Sequence, residues 1–443
     1  MRQPAVACLL TCLALPAQEH DAAQESTLLL TKRGELKTAP RSQLEGRAAH
    51  WPVGDAEGLM LGTSHFRVRI VGSGMAIALR SGAAPRKTVR SGGTYRLQYV
   101  SPDGQERSRN VGFFREHDKT WSWYCADVRV VTLAGQKIRL VDANGDGRYT
   151  IADDGYLVPG ARTVCPLSEK LILGATEVQI LTLSDNGQHL RVAERSLPGS
   201  PPQLAGLGAI NRLRTENGLP GVALSEDLSA GCTAHARYLA MNEWGGSSNP
   251  HVEEARSAGY SKQGAKAAMR SVIMKIAHDE AVPSYWRTWF HRRHMMDPVL
   301  AQIGISAEPE DLSVIDVMAK DWQRIAWSWP ITVPADGAVD VPVGAMREMP
   351  TEPVKRLGTR GFPIMALFRN SPGLDAEFQG SLVSVIKGRT RKVRTLVGER
   401  GKFPLLYGIV PEKPLRPATN YVATLEWRVG TEVTTRVIHF RTR

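Results

Sequence analysis

Alternating polar and apolar residues mark the first half of the chain. The runs 66–70, 95–100 and 128–133 are rich in β-branched and aromatic residues and are separated by clusters of Gly, Asp and Asn. A period of two with such turns is typical of strands that bury one face. We therefore predict an all-β domain over residues 59–197, after a flexible polar lead-in at 18–50.

A helical period replaces this pattern near residue 203. Leu204, Leu207, Ile210 and Leu213 recur every three residues and are followed by Gly218, which indicates an amphipathic helix with a glycine stop. The next elements are a helix that Ser225 caps and that buries Cys232 and His235, a helix over 265–277, a short helix with Pro283 in its first turn, and a hairpin from 301–307 and 312–318. This order predicts a compact α/β domain over 203–319.

Strand-like alternation returns in the last quarter, in the runs 362–368, 381–386, 421–427 and 434–440. Gly, Pro and Asn separate these runs, as turns between antiparallel strands require. We predict a β-sandwich over 330–443. The fold class is therefore multidomain, with an all-β N-terminal domain, a central α/β domain and a C-terminal β-sandwich, and the length of 443 residues suits three domains.

The first 17 residues have the features of a secretory signal peptide. Arg2 precedes an apolar run that ends in Ala17 and is too short to span a bilayer. We expect a secreted, periplasmic or cell-surface protein, with lipid attachment at Cys12 as an alternative. No later run is long enough to span a membrane.

The net positive charge of the chain indicates a class of ligand but no specific one. The formal net charge of +12 favours an anionic extracellular ligand, and no motif for specific nucleic-acid binding accompanies it. The sequence leaves the ligand and the oligomeric state open.

A loop in the N-terminal half has the spacing of calcium ligands. Gly at its sixth position permits the sharp turn that such a loop needs, and hard cations prefer carboxylate and carbonyl oxygen. The predicted ligands are Asp142, Asn144, Asp146, Asp153 and the carbonyl of Arg148. A structural calcium ion is one interpretation, and a plain turn built from Asp, Asn and Gly is the other.

Three cysteines remain after removal of a signal peptide. In an oxidising compartment Cys125 and Cys165 are candidates for a disulfide, although three isolated thiols are equally consistent with the spacing. Cys232, on the apolar face of a predicted helix, is expected to be a buried, inert thiol.

An ordered series of short motifs runs through the central domain. It comprises Asn211-Arg212-Leu213-Arg214, Glu216-Asn217-Gly218-Leu219, His235-Ala236, His251-Val252-Glu253, Trp286 to His291-Arg292, Ile303-Gly304-Ile305 and Val314-Ile315-Asp316-Val317. In this order and spacing the motifs resemble the CAP superfamily, also called the SCP or cysteine-rich secretory protein domain, in its bacterial form. The resemblance implies an α/β/α sandwich and a secreted setting.

The same resemblance implies a shallow cleft in which two histidines and one or two acids can hold a divalent metal. His251 and His291 match the two histidines, whereas Ala265 falls where the family has a glutamate. Zinc is therefore a weaker expectation than calcium. The further cleft candidates are Glu253, Glu254 and Glu280.

A motif in the C-terminal domain has a separate resemblance. Leu415, Pro417, Thr419 and Tyr421 form an LxPxTxY pattern similar to that near the last strands of immunoglobulin-like and fibronectin type III-like modules. The tyrosine of that pattern can pin a corner of the sandwich. The resemblance implies a spacer or an adhesive module.

Two functions fit these observations. The first is a non-catalytic extracellular protein whose CAP-like cleft binds a lipid, glycan or peptide. The second is a metal-dependent hydrolase of cell-wall or extracellular polymer that uses His251 and His291. The missing glutamate, the arginines beside His291 and the lack of any nucleophile motif favour the first. Whether the protein is an enzyme stays open.

Overall fold

The computed structural model describes most of the chain from residue 30 onward. The described residues are 30–35, 37–40, 51–52, 59–61, 63–71, 74–79, 81–91, 93–101, 103–115, 121–244, 249–318, 330–348, 354, 359–368, 376–398 and 406–443. The predicted signal peptide lies outside them, as does most of the predicted lead-in.

The N-terminal half consists of β-strands. They are β1 Leu30–Glu35, β2 Lys37–Pro40, β3 Trp51–Pro52, β4 Leu59–Leu61, β5 Ser64–Phe66, β6 Val68–Val71, β7 Gly74–Ile77, β8 Lys87–Val89, β9 Thr94–Val100, β10 Glu106–Arg115, β11 Trp121–Cys125, β12 Asp127–Leu133, β13 Gln136–Val141, β14 Gly155–Leu157, β15 Cys165–Pro166, β16 Lys170–Leu173, β17 Thr176–Leu183 and β18 His189–Ser196. Among the described residues of this half, all regular secondary structure is β-strand, in agreement with the all-β prediction. The larger sheets have the orders β3-β11-β10-β9, β15-β14-β13-β12-β2 and β1-β18-β17-β16.

Ten residues of the predicted flexible lead-in form strands. Strand β1 pairs antiparallel with β18 over six positions, and β2 pairs with β12 over four. Strands on a sheet edge gain their stability from backbone hydrogen bonds, so they need little apolar periodicity of their own. The sequence pattern therefore gave no signal for them.

Two hydrophobic clusters fill the N-terminal half. One contains Phe66, Leu97, Phe113 and Trp123, together with Cys125. The other contains residues from Val128 to Val192, among them Tyr149, Tyr156 and Cys165. The two candidate disulfide partners thus belong to different clusters.

The central domain holds the five described helices. They are α1 Pro201–Glu216, α2 Glu226–Met241, α3 Lys262–Ala268, α4 His278–Tyr285 and α5 Phe290–Met295. Its strands are β19 Ala223–Leu224, β20 Ser271–Met274, β21 Gln302–Ile305 and β22 Ser313–Asp316, in the sheet order β19-β21-β22-β20. Helix α1 contacts α4, and α2 contacts α3 and the strands β21 and β22.

Most local predictions for this domain are confirmed. Ser225 caps α2, since its side chain accepts a hydrogen bond from the Leu228 N–H at 3.4 Å, and the hairpin forms from β21 and β22. The helix over 265–277 is wrong, because α3 ends at Ala268 and β20 follows. That segment pairs in register with β22, and this pairing overrides a helical spacing of only three apolar residues. The position of Pro283 in the first turn of a helix is also wrong, because α4 begins at His278 and Pro283 lies inside it.

Gly304 explains one of the sequence motifs. A Cβ atom at this position would lie 2.5 Å from the backbone carbonyl carbon of Leu228 in α2. Only glycine lets the helix approach the sheet so closely. The Ile-Gly-Ile motif is therefore a packing requirement of the helix and sheet.

The C-terminal part forms two sheets around one core. Its strands are β23 Ile331–Val333, β24 Ala338–Val341, β25 Ile364–Leu367, β26 Glu377–Ile386, β27 Arg389–Val393, β28 Thr395–Val397, β29 Leu406–Pro411, β30 Asn420–Val429 and β31 Glu432–Thr442. The sheet orders are β23-β25-β29-β28 and β24-β31-β30-β26-β27. Tyr421 pins a corner as expected, because its hydroxyl accepts a hydrogen bond from the Arg416 N–H at 2.7 Å.

The central and C-terminal domains share a hydrophobic core. Trp289 and Met296 of the central domain belong to the same buried cluster as Phe362, Ile364 and Trp427. Among the described helices, none combines the length and the apolar character needed to cross a bilayer.

Candidate functional site

His251 lies in the segment between α2 and α3 and is partly buried. Its Nδ1 is 2.9 Å from the carbonyl oxygen of Ala268, to which it donates. Burial lowers the pKa of His251, and the neighbouring rings of His291 and His235 lower it further. The ring is therefore neutral near pH 7, with Nε2 left as a hydrogen-bond acceptor.

His291 lies in the first turn of α5 and is held by an acid from beyond the central domain. Its Nδ1 is 2.7 Å from Oε1 of Glu348, close enough for an ion pair but without the alignment of a regular hydrogen bond. The ring of Tyr285 lies against the imidazole, with 5.4 Å between centroids.

Glu348 is the residue that organises this corner. Oε2 accepts from the N–H groups of Trp289 and Phe290 at 2.9 and 3.0 Å, and Oε1 accepts from the N–H of His291 at 2.7 Å. Burial alone would raise the pKa of Glu348, but the bonds from His291 and the backbone outweigh it and hold the pKa below its usual value. The carboxylate is charged and only 3% exposed.

The acids predicted for the cleft have other positions. Glu253 is buried and lies 2.8 Å from Nδ1 of His235, and it also accepts from the Ser261 N–H at 3.0 Å. Glu254 and Glu280 are exposed. The acid beside a cleft histidine is thus Glu348, which the sequence had not indicated.

His235 is the buried structural histidine that the helical pattern predicts. It has no exposed surface, and its Nε2 is 2.8 Å from the carbonyl oxygen of Pro250. Because Glu253 and Pro250 both offer acceptor oxygens, both ring nitrogens are placed to donate. This pair ties α2 to the segment that carries His251.

The Asn-x-x-Arg motif of α1 is also structural. The buried side chain of Asn211 donates to Gly174 and Val222 carbonyls at 2.7 and 2.9 Å and accepts from the Val222 N–H at 2.7 Å. Arg214 donates to the carbonyl oxygens of Pro220, Met295, Asp297 and Leu300. These bonds fix the segment around α5 on α1.

Comparison with known proteins agrees with this geometry. Residues 207–312 match the model of the cysteine-rich secretory protein family, CAP. The middle of this chain is a CAP domain. No curated protein and no solved structure matches the chain.

The arginine after His291 points away from the CAP cleft. Arg292 is fully buried and donates to the Pro363 carbonyl at 2.6 Å, with its guanidinium carbon 4.5 Å from the ring centroid of Phe362. Burial lowers the pKa of Arg292 to about 9. Arg292 therefore anchors the CAP domain to the C-terminal sheets.

Zinc was the weaker metal expectation for the CAP cleft. Nδ1 of His251 donates to a carbonyl oxygen, as in metal-binding histidines, and Nδ1 of His291 lies beside the Glu348 carboxylate. Zinc, however, needs three or four ligands. Within the described part of the chain, no group of three or more His, Cys, Asp or Glu side chains is arranged to hold a metal ion. The donor set falls short of a zinc site, so we assign no chemical step to a metal.

The calcium-like loop has the predicted turn. Gly147 has φ +88°, and its N–H donates to the fully buried carboxylate of Asp142 at 2.8 Å. The Gly145 N–H donates to the same carboxylate at 2.6 Å, and Arg109 forms an ion pair with it. A guanidinium therefore stands beside the first predicted calcium ligand.

The acid that closes this loop is Asp154 instead of Asp153. Asp154 is 3% exposed and accepts from the N–H groups of Ala143 and Thr150, each at 2.7 Å, whereas Asp153 is exposed. Burial, followed by the charge of Asp142, raises the pKa of Asp154 to about 7.

The remaining loop acceptors form the turn itself. Oδ1 of Asn144 accepts from the Asp146 N–H at 3.0 Å, and Oδ1 of Asp146 accepts from the Arg148 N–H at 2.7 Å. The positive charge of Arg109 beside Asp142 would repel a calcium ion. In this arrangement the residues therefore do not form a calcium site. Calcium binding stays a prediction that requires Arg109 to move.

The candidate disulfide is not formed. Cys125 and Cys165 are buried, lie in separate clusters and are not joined by a disulfide, which agrees with the alternative interpretation. Sγ of Cys165 lies 3.3 Å from the Thr215 carbonyl oxygen. Burial raises the pKa of Cys165 and of Cys232 to about 12, so both thiols are inert near neutral pH, as predicted for Cys232.

Proposed function

We propose that this is a secreted, non-catalytic protein that binds an extracellular ligand in the CAP cleft at His251 and His291. The observation that carries the proposal is the state of the acid in that cleft. Glu348 is buried, and both of its oxygens are engaged by backbone N–H groups. A general acid or base must reach the proton that it transfers, and this carboxylate does not reach solvent.

The chemistry of His251 limits what the ligand can offer. Its neutral ring donates through Nδ1 to the protein, so Nε2 accepts a hydrogen bond from outside. A ligand that binds here carries an O–H or N–H donor.

Apolar side chains beside His251 add a second requirement. Val252, Met269 and Met318 are 44%, 69% and 45% exposed. Met269 and Met318 lie opposite each other, because Ser271 pairs with Asp316 and the Val317 N–H donates to the Arg270 carbonyl. Exposed methionines adapt to varied apolar shapes. The ligand therefore has an apolar segment next to a hydrogen-bond donor.

The finer architecture belongs to the same proposal. Contacts of α1 with α4, and of α2 with α3, support helices on both faces of the central sheet, as in an α/β/α sandwich. The pinned Tyr421 corner and the two sheets support an immunoglobulin-like C-terminal module. We infer that this module supports the CAP cleft.

The test uses octyl glucoside, which joins hydroxyl donors to an apolar tail, and measures binding to the full chain by titration calorimetry. Glucose, which lacks the tail, is the control ligand. We expect octyl glucoside to bind and His251→Ala/His291→Ala to weaken it about tenfold, the value of one lost hydrogen bond to a buried acceptor. Met269→Ser should weaken it less, and Val433→Ser, at an apolar residue 49% exposed in the C-terminal part, should not.

Equal affinities for glucose and octyl glucoside would contradict the apolar requirement. Unchanged binding in the double histidine variant would exclude the cleft as the binding site. Metal analysis of the same samples separates the hydrolase alternative: stoichiometric zinc in the native protein, lost in the double variant, would replace the binding function by metal-dependent chemistry.

A further inference from the structure

Strands β6, β7 and β8 form a three-stranded sheet in the N-terminal half, in the order β6-β7-β8. Its inner face packs on the hydrophobic cluster that contains Phe66. The side chains buried there are Val68, Met75, Ile77 and Val89. Successive side chains of a strand point to opposite faces of a sheet, so the residues that alternate with these four belong to the outer face.

Four arginines lie on this outer face, and all of them are exposed. Arg67 directly precedes β6 and Arg69 lies within it, on either side of the buried Val68. Arg86 and Arg90 flank β8, one before its first residue and one after its last. We call these four arginines the basic face.

The pairing of the strands spreads the basic face over an open surface. Ala76 of β7 pairs with Arg69 of β6 and with Thr88 of β8. The Ala78 N–H donates to the Arg67 carbonyl at 3.0 Å, which extends the same pairing. Residues two apart on a strand are separated by roughly 7 Å, and strands two apart in a sheet by roughly 10 Å. The arginines therefore stand apart from one another, with small side chains between them.

No acid along this part of the chain offsets the charge. Residues 58–102 contain seven Arg and Lys residues and no Asp or Glu, whereas the whole chain has 44 acids in 443 residues. Among the residues that the structure describes, none forms an ion pair with an arginine of the basic face. The next acids along the chain, Asp103 and Glu106, belong to the hairpin of β9 and β10, in a different sheet.

An extended anionic surface fits this arrangement better than a small anion or a single nucleic-acid strand. A small ligand is bound by polar groups that converge on it, and these arginines do not converge. Single strands are bound by basic side chains interleaved with aromatic ones, whereas Ala76, Ala78 and Thr88 lie between the arginines. Clustered Arg and Lys are attracted to anionic lipid headgroups, and an acid-free surface avoids repulsion across the area of contact. We propose that the basic face docks the N-terminal β domain on a membrane surface rich in anionic lipid.

Flotation of the full chain with lipid vesicles tests this docking. The vesicles contain phosphatidylglycerol and phosphatidylcholine in equal parts, and vesicles of phosphatidylcholine alone are the control. We expect binding to the anionic vesicles only, with a partition coefficient that falls as salt rises. Arg67→Gln/Arg69→Gln should lower that coefficient about 25-fold, which is about fivefold for each basic residue near an anionic surface. Arg86→Gln/Arg90→Gln should give a similar loss.

Arg389→Gln/Arg391→Gln is the matched control, because it removes two exposed arginines from β27 of the C-terminal part and changes the net charge equally. Its partition coefficient should change less than about twofold. An equal loss in this control would show that net charge alone drives binding and would overturn the proposal. So would a lack of binding to the anionic vesicles, or equal binding to pure phosphatidylcholine. A short DNA duplex bound more tightly than the vesicles would assign the basic face to nucleic acid and overturn lipid docking.

Discussion

The calcium-like loop and the CAP cleft are both candidate metal sites, and in each a residue remote in sequence contacts a predicted ligand. At the loop, Arg109 pairs with Asp142 inside one β domain. In the cleft, Glu348 from the C-terminal part pairs with His291 of the CAP domain. The first pair neutralises a buried charge within a domain, and the second joins two domains. A motif can thus display ligand side chains that the fold has already paired with remote residues.

Breaking the loop pair should have the largest effect. Arg109→Met leaves the buried Asp142 carboxylate without its cation and should lower the free energy of unfolding by about 3–5 kcal/mol. Chemical denaturation measures this, with Arg109→Met/Asp142→Asn as the matched variant that recovers stability. Calcium should raise the melting temperature of Arg109→Met more than that of the native protein. Identical melting-temperature shifts in the two proteins would exclude the loop as a calcium site.

Asp154 gives the loop a pH dependence of opposite sign to that of Glu348 in the cleft. Its pKa in the folded protein, about 7, exceeds the ordinary value of 3.8. The folded state therefore holds the proton more tightly, and stability is lost as pH rises from about 4 to about 7, by as much as about 4 kcal/mol. Denaturation midpoints across this range should flatten in Asp154→Asn. A native profile that rises toward pH 7 would contradict the assignment.

Uncoupling the cleft pair should cost less. Glu348→Gln keeps the shape but loses the charge, and one of its backbone donors loses its acceptor, so we expect a loss of about 1–3 kcal/mol. Hydrogen exchange should quicken at the amides of residues 289–291. Because the pKa of Glu348 is lowered, its stabilisation is present above pH 4.5 and is lost as pH falls below it. Glu432→Gln, at an exposed glutamate of the C-terminal part, should change neither quantity.

The smallest effects belong to the exposed acids. Glu254→Gln and Glu280→Gln should each change stability by less than about 0.5 kcal/mol, as surface substitutions do. Binding of octyl glucoside should also be unchanged. A large loss of binding in either variant would show that this acid belongs to the binding cleft. Glu348 would then not be the only acid that matters there.

Local sequence patterns predicted several features of the fold correctly. The Ser225 cap, the hairpin of β21 and β22 and the Tyr421 corner depend on residues close in sequence, and each is present. The helix over 265–277 failed because pairing with β22, some forty residues later, decided that segment.

The candidate sites were less predictable because their partners are remote. Glu348 lies 57 residues after His291, and Arg109 lies 33 residues before Asp142. Neither partner belongs to a motif, so spacing offered no signal for them. The choice between Asp153 and Asp154 depends on which side chain turns inward, and two adjacent aspartates do not reveal that.

The core that Trp289 and Met296 share with Phe362 and Ile364 restricts how this protein can be rearranged by recombination. A crossover between the CAP domain and the C-terminal strands would strip α5 of its apolar cover and leave Arg292 without the Pro363 carbonyl. A CAP domain from this chain that is grafted elsewhere would therefore need these strands, or a substitute for them, to cover α5.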